Sequence, residues 1–220
     1  MKALLTMTFG AAILVATTGQ ALADAAAGKA VFDAKGCADC HYTEGPAREK
    51  IIDDQLAKKG PELWYAGSKF QKDWLSGWLV DPKPIRPMKF NDLMVENPGD
   101  HPKLGGGDAG PVRDFLMSLT SKDVKAGKVK PKKNPKGRQI FAKKMPCSGC
   151  HEYVGRKKKI MGGRSGPSLV EAGIRLNPDW ILAYLQKPKV FKPVKMMPVF
   201  FGLLSDKDMT NVARYVANFK

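Results

Sequence analysis

Apolar residues recur every three or four positions along several stretches of the chain, which is the spacing of one face of an α-helix. Two of these stretches run into a proline, and the residue before a proline disfavours helical geometry. Ser205 with Asp208 three residues later has the spacing of a helix N-cap. No alternating pattern of useful length predicts strands, so we expect an all-α fold. The predicted helices are Ala25–Lys35, Gln71–Val80, Gly110–Leu119, Asp179–Gln186 and a last one that opens at Ser205.

The first 23 residues have the pattern of a cleaved export signal. Lys2 precedes an apolar run from Ala3 to Ala16, and the segment ends at Ala21-Leu22-Ala23, a small-residue cleavage pattern. Roughly 14 apolar residues are too few to span about 30 Å of hydrocarbon. We therefore expect residues 1–23 to be a signal peptide that is removed after Ala23, and the remaining chain to be periplasmic.

The rest of the chain repeats its own spacing. Gly60-Pro61-Glu62-Leu63 corresponds to Gly166-Pro167-Ser168-Leu169, and a tryptophan lies 14 residues after the glycine in both copies. A proline follows that tryptophan by eight residues in both. Agreement of this kind predicts a duplicated domain. The predicted organisation is a first domain over residues 24–120, a linker over 121–136 and a second domain over 137–220.

Charge is divided unevenly between these parts. The formal net charge is +16, of which residues 24–120 contribute −2 and residues 121–220 contribute +17. Seven lysines, two prolines and two glycines between Ser121 and Gly137 predict an extended, self-repelling linker. The content of 43% hydrophobic and 26% charged residues is ordinary for a folded protein and excludes disorder throughout.

All four cysteines lie in two copies of one motif, Cys-x-x-Cys-His. The copies are Cys37-Ala38-Asp39-Cys40-His41 and Cys147-Ser148-Gly149-Cys150-His151. This motif attaches haem c: the two thiols add across the vinyl groups of the porphyrin, and the histidine ligates the iron. A redox dithiol does not require the adjacent histidine, and a zinc site needs more ligands than each half supplies. The sequence therefore predicts two covalently bound haem c groups.

These motifs and their flanks resemble class I c-type cytochromes, duplicated to give a dihaem protein. The resemblance covers both halves and implies two tandem all-α domains, each wrapped around a haem. It also implies that the carbonyl groups of Pro61 and Pro167 accept a hydrogen bond from Nδ1 of His41 and His151, which would orient each ring as an iron ligand.

The sixth iron ligand is less closely specified. The family uses a methionine, and Met88 and Met197 lie 47 and 46 residues after their motif histidines. Met197-Pro198-Val199-Phe200 resembles the family's Met-Pro-x-Phe loop, whereas Met88-Lys89-Phe90 lacks the proline. We expect Met88 and Met197 as ligands. Met196 competes with Met197, and Met94 and His101 compete with Met88.

An iron with two protein ligands exchanges electrons and leaves no position for a substrate. We therefore expect an electron carrier, not an enzyme, which transfers single electrons between redox proteins outside the cytoplasm. A peroxidase-like haem enzyme with one open iron remains an alternative, as does an electron-entry subunit of a larger membrane-bound oxidoreductase. Export argues against nucleic acid as the partner of the basic run Arg156-Lys157-Lys158-Lys159. An acidic docking face on a redox partner fits that run better, with an anionic membrane surface as the alternative.

Overall fold

The computed structural model describes residues 14–194 and 197–220, and this part of the chain is largely helical. The first half contains α1 to α5, and the second contains α6 to α11 with two short strands. The helices are α1 Leu14–Ala34, α2 Ile52–Leu56, α3 Ala66–Lys69, α4 Lys72–Val80, α5 Gly106–Ser118, α6 Pro135–Gln139, α7 Cys147–Cys150, α8 Ala172–Arg175, α9 Pro178–Gln186, α10 Pro188–Phe191 and α11 Asp206–Val216. Single turns of 3₁₀ helix lie at Cys37–Asp39 and Arg156–Lys158, a π-helical turn at Ile140–Lys144, and the strands are β1 Tyr153–Val154 and β2 Ile160–Met161.

All five predicted helices are present, but α1 begins at Leu14, 11 residues before its predicted start at Ala25. The segments predicted at Gln71–Val80 and Asp179–Gln186 are α4 and α9, and Ser205 caps α11 by accepting a hydrogen bond from the Asp208 N–H at 3.1 Å. Helix α5 begins at Gly106, four residues before its predicted start. The expectation of no strands is wrong in one place, where β1 and β2 pair antiparallel. Strands of two residues are too short to show an alternating pattern.

Each half has a core in which its first helix crosses its last. In the first half, α1 crosses α5 at Gly28, and Phe32 meets Phe115 edge-on at 5.5 Å. In the second half, α6 crosses α11 at Gly137. A Cβ atom at either glycine would overlap a backbone oxygen of the facing helix. The two crossings therefore depend on the absence of a side chain at these positions.

The two halves pack against each other through equivalent segments. The bounds of α3 and α4 recur 106 residues later as those of α8 and α9. Between them, Phe70 forms an antiparallel bridge with Leu176. The Gln71 N–H donates to the Arg175 carbonyl at 2.9 Å, and the Asn177 N–H donates to the Lys69 carbonyl at 2.8 Å. Asn177 and Arg175 are the equivalents of Gln71 and Lys69, 106 residues later. The two hydrogen bonds are therefore equivalent, and the contact has approximate two-fold symmetry.

The predicted linker at 121–136 is packed along α9. The backbone N–H groups of Gly127 and Val129 both donate to the Asp179 carboxylate at 2.7 Å, and Lys187 pairs with Asp123 at 3.2 Å. The Val129 side chain is buried. Asp179, in the first turn of α9, thus binds this lysine-rich segment to the second half. The charge of the segment alone predicts an extended linker.

Residues 1–13 of the predicted signal peptide lie outside the described residues. Helix α1 starts at Leu14, so the predicted cleavage point after Ala23 falls within this helix. Among the residues that the structure describes, no helix has the length and apolar content needed to cross a membrane.

Candidate functional site

Each Cys-x-x-Cys-His motif forms one helical turn that places its two thiols on the same side of the chain. The His41 N–H donates to the Cys37 carbonyl at 3.0 Å, and the His151 N–H donates to the Cys147 carbonyl at 3.0 Å. All four thiols are free, and in each pair the first is half-buried and the second exposed. Burial raises the pKa of the Cys37 thiol and raises that of Cys147 to about 11. A redox dithiol needs a lowered thiol pKa, so this environment disfavours that alternative.

A proline carbonyl fixes each motif histidine. His41 Nδ1 lies 2.7 Å from the Pro61 oxygen, and His151 Nδ1 lies 2.7 Å from the Pro167 oxygen. A carbonyl only accepts, so Nδ1 carries the proton and Nε2 carries the lone pair that a metal requires. Burial lowers the pKa of both rings, although the bond to the carbonyl has the opposite effect. The lowered pKa favours the neutral imidazole.

A glycine lies against each of these rings. A Cβ atom at Gly60 would lie 2.5 Å from His41 Cε1, and one at Gly166 would lie 2.7 Å from His151 Cε1. No L-residue with a side chain fits without moving the ring. The Gly-Pro pair therefore supplies both the space for the imidazole and the carbonyl that orients it, in both halves. Two thiols and one neutral, oriented imidazole fit covalent haem c.

The candidate sixth ligands have different surroundings. Met88 is half-buried and its backbone pairs with that of Glu96, while Met94 is 90% exposed. Met197 is half-buried against the hydrophobic core, and its competitor Met196 lies outside the described residues. The ring of His101 has its centre 6.0 Å from that of His41. The structure thus brings the loop histidine next to the first motif.

The contact between the halves carries four cations that the sequence alone did not indicate. Lys69 of the first half lies over the Trp180 ring of the second at 5.1 Å, and Arg175 of the second lies over the Trp74 ring of the first at 6.0 Å. Among the described residues, neither cation pairs with a carboxylate within 4.0 Å. Burial lowers the pKa of Lys69 to about 7, helped by the Lys192 cation, and burial lowers that of Arg175 to about 10.

The other two cations complete the cluster. The Arg86 guanidinium donates to the Ser165 carbonyl at 2.9 Å, and Lys192 pairs with Glu62 at 3.0 Å. Lys69 and Arg175 are 106 residues apart, as are Arg86 and Lys192. Lys69, Arg86 and Arg175 are desolvated and have no carboxylate partner among the described residues. Such cations favour anionic groups, and the carboxylates of haem propionates have the required chemistry.

Glu62, next to the carbonyl that binds His41, is a second feature missed at the sequence level. Its side chain is fully buried and is paired with Lys58 and Lys192. Burial opposes ionisation, but Lys192 and Lys58 outweigh it and lower the Glu62 pKa to about 2. Lys58 also pairs with Glu49. In the sequence, Lys58-Lys59 has the pattern of a solvated surface pair, whereas the structure buries the first of the two.

The basic run of the second half lies beside the second motif. Strands β1 and β2 form a hairpin that presents exposed Lys157, Lys158 and Lys159 at its tip. The Gly163 N–H after β2 donates to the Ser148 carbonyl within the motif at 3.0 Å. Gly162 and Gly163 approach the motif backbone so closely that a Cβ atom at either position would overlap it. The three lysines are therefore attached through this hairpin to the segment that carries Cys147 and Cys150.

Comparison with known proteins agrees with this chemistry in the second half. Residues 132–216 match the model of the family described as cytochrome C oxidase, cbb3-type, subunit III. No curated protein and no solved structure gave a match. The matched region contains the second motif, Pro167 and Met197. The match supports a c-type cytochrome that carries covalently bound haem c and functions as an electron carrier.

Proposed function

We propose that this protein is a dihaem c-type cytochrome that transfers single electrons between redox partners in the periplasm. The observation that carries the proposal is that the two motif sites have the same arrangement. In both halves, one turn holds two free thiols and the following histidine has its Nδ1 2.7 Å from a prolyl carbonyl. The haem iron, when bound, supplies reversible one-electron chemistry.

The residues proposed to hold the first haem are Cys37, Cys40 and His41, with Pro61 orienting the histidine. Cys147, Cys150, His151 and Pro167 have the same roles for the second haem. Met197 is proposed as the sixth ligand in the second half, and in the first half His101 and Met88 are the two candidates for that position. A thioether stabilises ferrous iron and raises the reduction potential relative to a second imidazole.

The cations between the halves support the presence of two haems. Lys69, Arg86, Arg175 and Lys192 come in equal number from each half, and each set contacts residues of the other half. One haem supplies two carboxylates. Lys192 is paired with Glu62, and the three cations left without a carboxylate among the described residues exceed the two carboxylates of one haem.

Redox partners are proposed to dock near the second motif with an acidic face. The Lys157–Lys159 tip is exposed and attached to that motif, and residues 121–220 carry a net charge of +17. An anionic membrane surface would be attracted to the same charge, and nucleic acid is not a proposed partner. A second candidate function, electron entry into a larger membrane-bound oxidoreductase, is favoured by the oxidase-subunit family that residues 132–216 match.

Haem content tests the proposal. The full chain, produced with a c-type maturation system, is expected to carry two haems that survive acid–acetone extraction. The intact mass is expected to rise by two haem groups in the wild type, and by one in each of Cys37→Ala/Cys40→Ala and Cys147→Ala/Cys150→Ala. A single covalent haem in the wild-type protein, or haem released on extraction, would contradict the dihaem proposal.

A further inference from the structure

His101 lies in the connection between α4 and α5, yet its ring is next to the first Cys-x-x-Cys-His motif. The centres of the His101 and His41 rings are 6.0 Å apart, with an angle of 38° between the planes. The ring of Trp78, on α4, also contacts His101, with 4.7 Å between the ring centres. The second half has no histidine at the corresponding place, since the chain contains only three.

The two imidazoles present the same free nitrogen. His101 Nδ1 lies 2.8 Å from the carbonyl oxygen of Pro102, just as His41 Nδ1 lies 2.7 Å from that of Pro61. Both Nδ1 atoms therefore carry a proton, and both Nε2 atoms carry a lone pair. A metal-binding histidine in proteins usually has its other ring nitrogen engaged in this way.

The segment that carries His101 is held by contacts on both sides of it. The Leu104 N–H donates to the Leu79 carbonyl at 2.9 Å, and Lys103 pairs with Asp81 at 3.2 Å. On the other side, the Gly99 N–H donates to the Asn97 side-chain oxygen at 3.0 Å. Both contacts of Lys103 and Leu104 are with the end of α4, which also provides Trp78. The position of His101 is therefore set by the same helix that packs against its ring.

We propose that His101, and not Met88, is the sixth ligand of the first haem iron, opposite His41. The inference rests on the proposed function, since it requires a haem at Cys37 and Cys40. Two imidazoles on opposite sides of one metal have ring centres about 6 Å apart, because each metal–nitrogen bond is about 2 Å long and each ring centre lies about 1 Å beyond its nitrogen. The observed separation matches that arrangement.

The surroundings of Met88 agree with a packing role. Its backbone pairs with Glu96, and Glu96 in turn pairs with Arg164 of the second half at 2.8 Å. Just before it, the Ile85 carbonyl accepts a hydrogen bond from the Ser168 N–H at 2.8 Å. Met88 thus belongs to a segment fastened to the other half of the molecule at both ends.

The proposed ligation makes the two haems chemically different. The first would have two imidazoles, whereas the second would have an imidazole and the Met197 thioether. Because a thioether raises the potential relative to a second imidazole, the first haem is expected to have the lower potential. The first haem would then be the last of the two to be reduced, and an electron that enters there would pass to the second haem.

The experiment is electron paramagnetic resonance and near-infrared magnetic circular dichroism of the oxidised full-length protein. The expected result is one bis-histidine and one histidine–methionine low-spin signal in equal amounts. His101→Ala is expected to remove the bis-histidine signal and to let carbon monoxide bind half of the reduced haem. Met88→Leu is the matched control and is expected to leave both signals and the absence of carbon monoxide binding unchanged.

His101→Met keeps the assignment testable even where His101→Ala folds poorly. It is expected to restore a low-spin iron, replace the bis-histidine signal with a second histidine–methionine signal and raise the lower of the two potentials. Two histidine–methionine signals or a high-spin haem in the wild-type protein would overturn the inference, as would loss of ligation in Met88→Leu. Haem content by mass, measured on the same samples, separates this failure from failure of the dihaem proposal.

Discussion

At the scale of the residue, the short Gly-Pro turns do two things for each motif histidine. The proline supplies the carbonyl that accepts from the ring, with its own φ fixed, while the preceding glycine leaves room for the ring. Neither residue has a polar side chain. The orientation of His41 and His151 is consequently set by backbone atoms.

How much of the site is visible in the sequence depends on how far apart its residues lie. The thiols and histidine of each motif are adjacent, and the proline follows within 20 residues, so spacing and resemblance suffice to predict their roles. The contact of His101 with His41 joins residues 60 apart, and Lys69 and Trp180 are more than 100 apart. The first contact forms only when the connection between α4 and α5 packs onto the first motif, and the second only through packing of the halves. No local pattern specifies either one.

Glu62 gives a prediction at this scale for the effect of acid. Its folded pKa of about 2 lies below its ordinary value of 4.5, so its contribution to stability is full above about pH 4.5 and is lost as the pH falls through about 2. Replacing it leaves Lys58 and Lys192 without this partner. Glu62→Gln is expected to lower the free energy of unfolding by about 3–5 kcal/mol at neutral pH, with a smaller difference in acid.

Urea unfolding of the wild type and of Glu62→Gln, at neutral pH and at about pH 3, measures this difference in the free energy of unfolding. Glu44→Gln is the control, because Glu44 forms only an exposed pair with Arg48 at 3.5 Å. Exposed pairs contribute about 0–1 kcal/mol, so the control is expected to behave like the wild type at both pH values. An equal loss from the two variants would show that the buried pairs at Glu62 do not stabilise the fold.

At the scale of the element, helix position follows from local sequence more closely than helix extent does. Helices α4 and α9 end at a proline, and α11 begins at a serine cap, so their bounds are nearly those expected. Helix α5 extends back over Gly106 and Gly107 and contains Pro111, all of which disfavour helix locally. Its burial against α1 outweighs these propensities.

The crossing of α6 and α11 gives the second prediction. A Cβ atom at Gly137 would overlap the Asn211 carbonyl oxygen and the Tyr215 side chain. Forcing extra atoms into a packed contact costs about 1–3 kcal/mol, more than the roughly 1 kcal/mol that alanine gains over glycine within a helix. Gly137→Ala is therefore expected to lower the free energy of unfolding measured with guanidinium.

Gly77→Ala is the matched control, since Gly77 of α4 is also helical but has no atom within 4 Å of a Cβ placed there. It is expected to be neutral or to raise the free energy of unfolding by up to about 1 kcal/mol. If the two glycine variants changed stability by the same amount, close approach at Gly137 would not be what holds α6 to α11.

At the scale of the whole molecule, shape and charge are organised differently. The helices that join the halves correspond pairwise, and so do the four cations between them. Net charge does not follow this correspondence, because almost all of the positive excess belongs to residues 121–220. A partner with an acidic face therefore meets two similar folds with very different electrostatic attraction.

The last prediction concerns this attraction and uses two triple charge reversals. Lys157→Glu/Lys158→Glu/Lys159→Glu changes the exposed hairpin beside the second motif. Lys50→Glu/Lys59→Glu/Lys89→Glu makes the same change of charge at exposed lysines of the first half. Stopped-flow oxidation of the reduced protein by ferricyanide, an anionic one-electron oxidant, gives the second-order rate constant for the wild type and both variants.

The hairpin variant is expected to react about tenfold more slowly than the wild type at low ionic strength, because its lysines lie beside the second motif. The rate constant of the first-half variant is expected to fall far less. The differences should shrink as the Debye length falls from about 30 Å at 0.01 M to about 8 Å at 0.15 M salt. Equal losses from both variants would mean that total charge, and not the position of the hairpin, governs approach to the haem. A rate independent of salt would mean that the basic half is only a solvated surface.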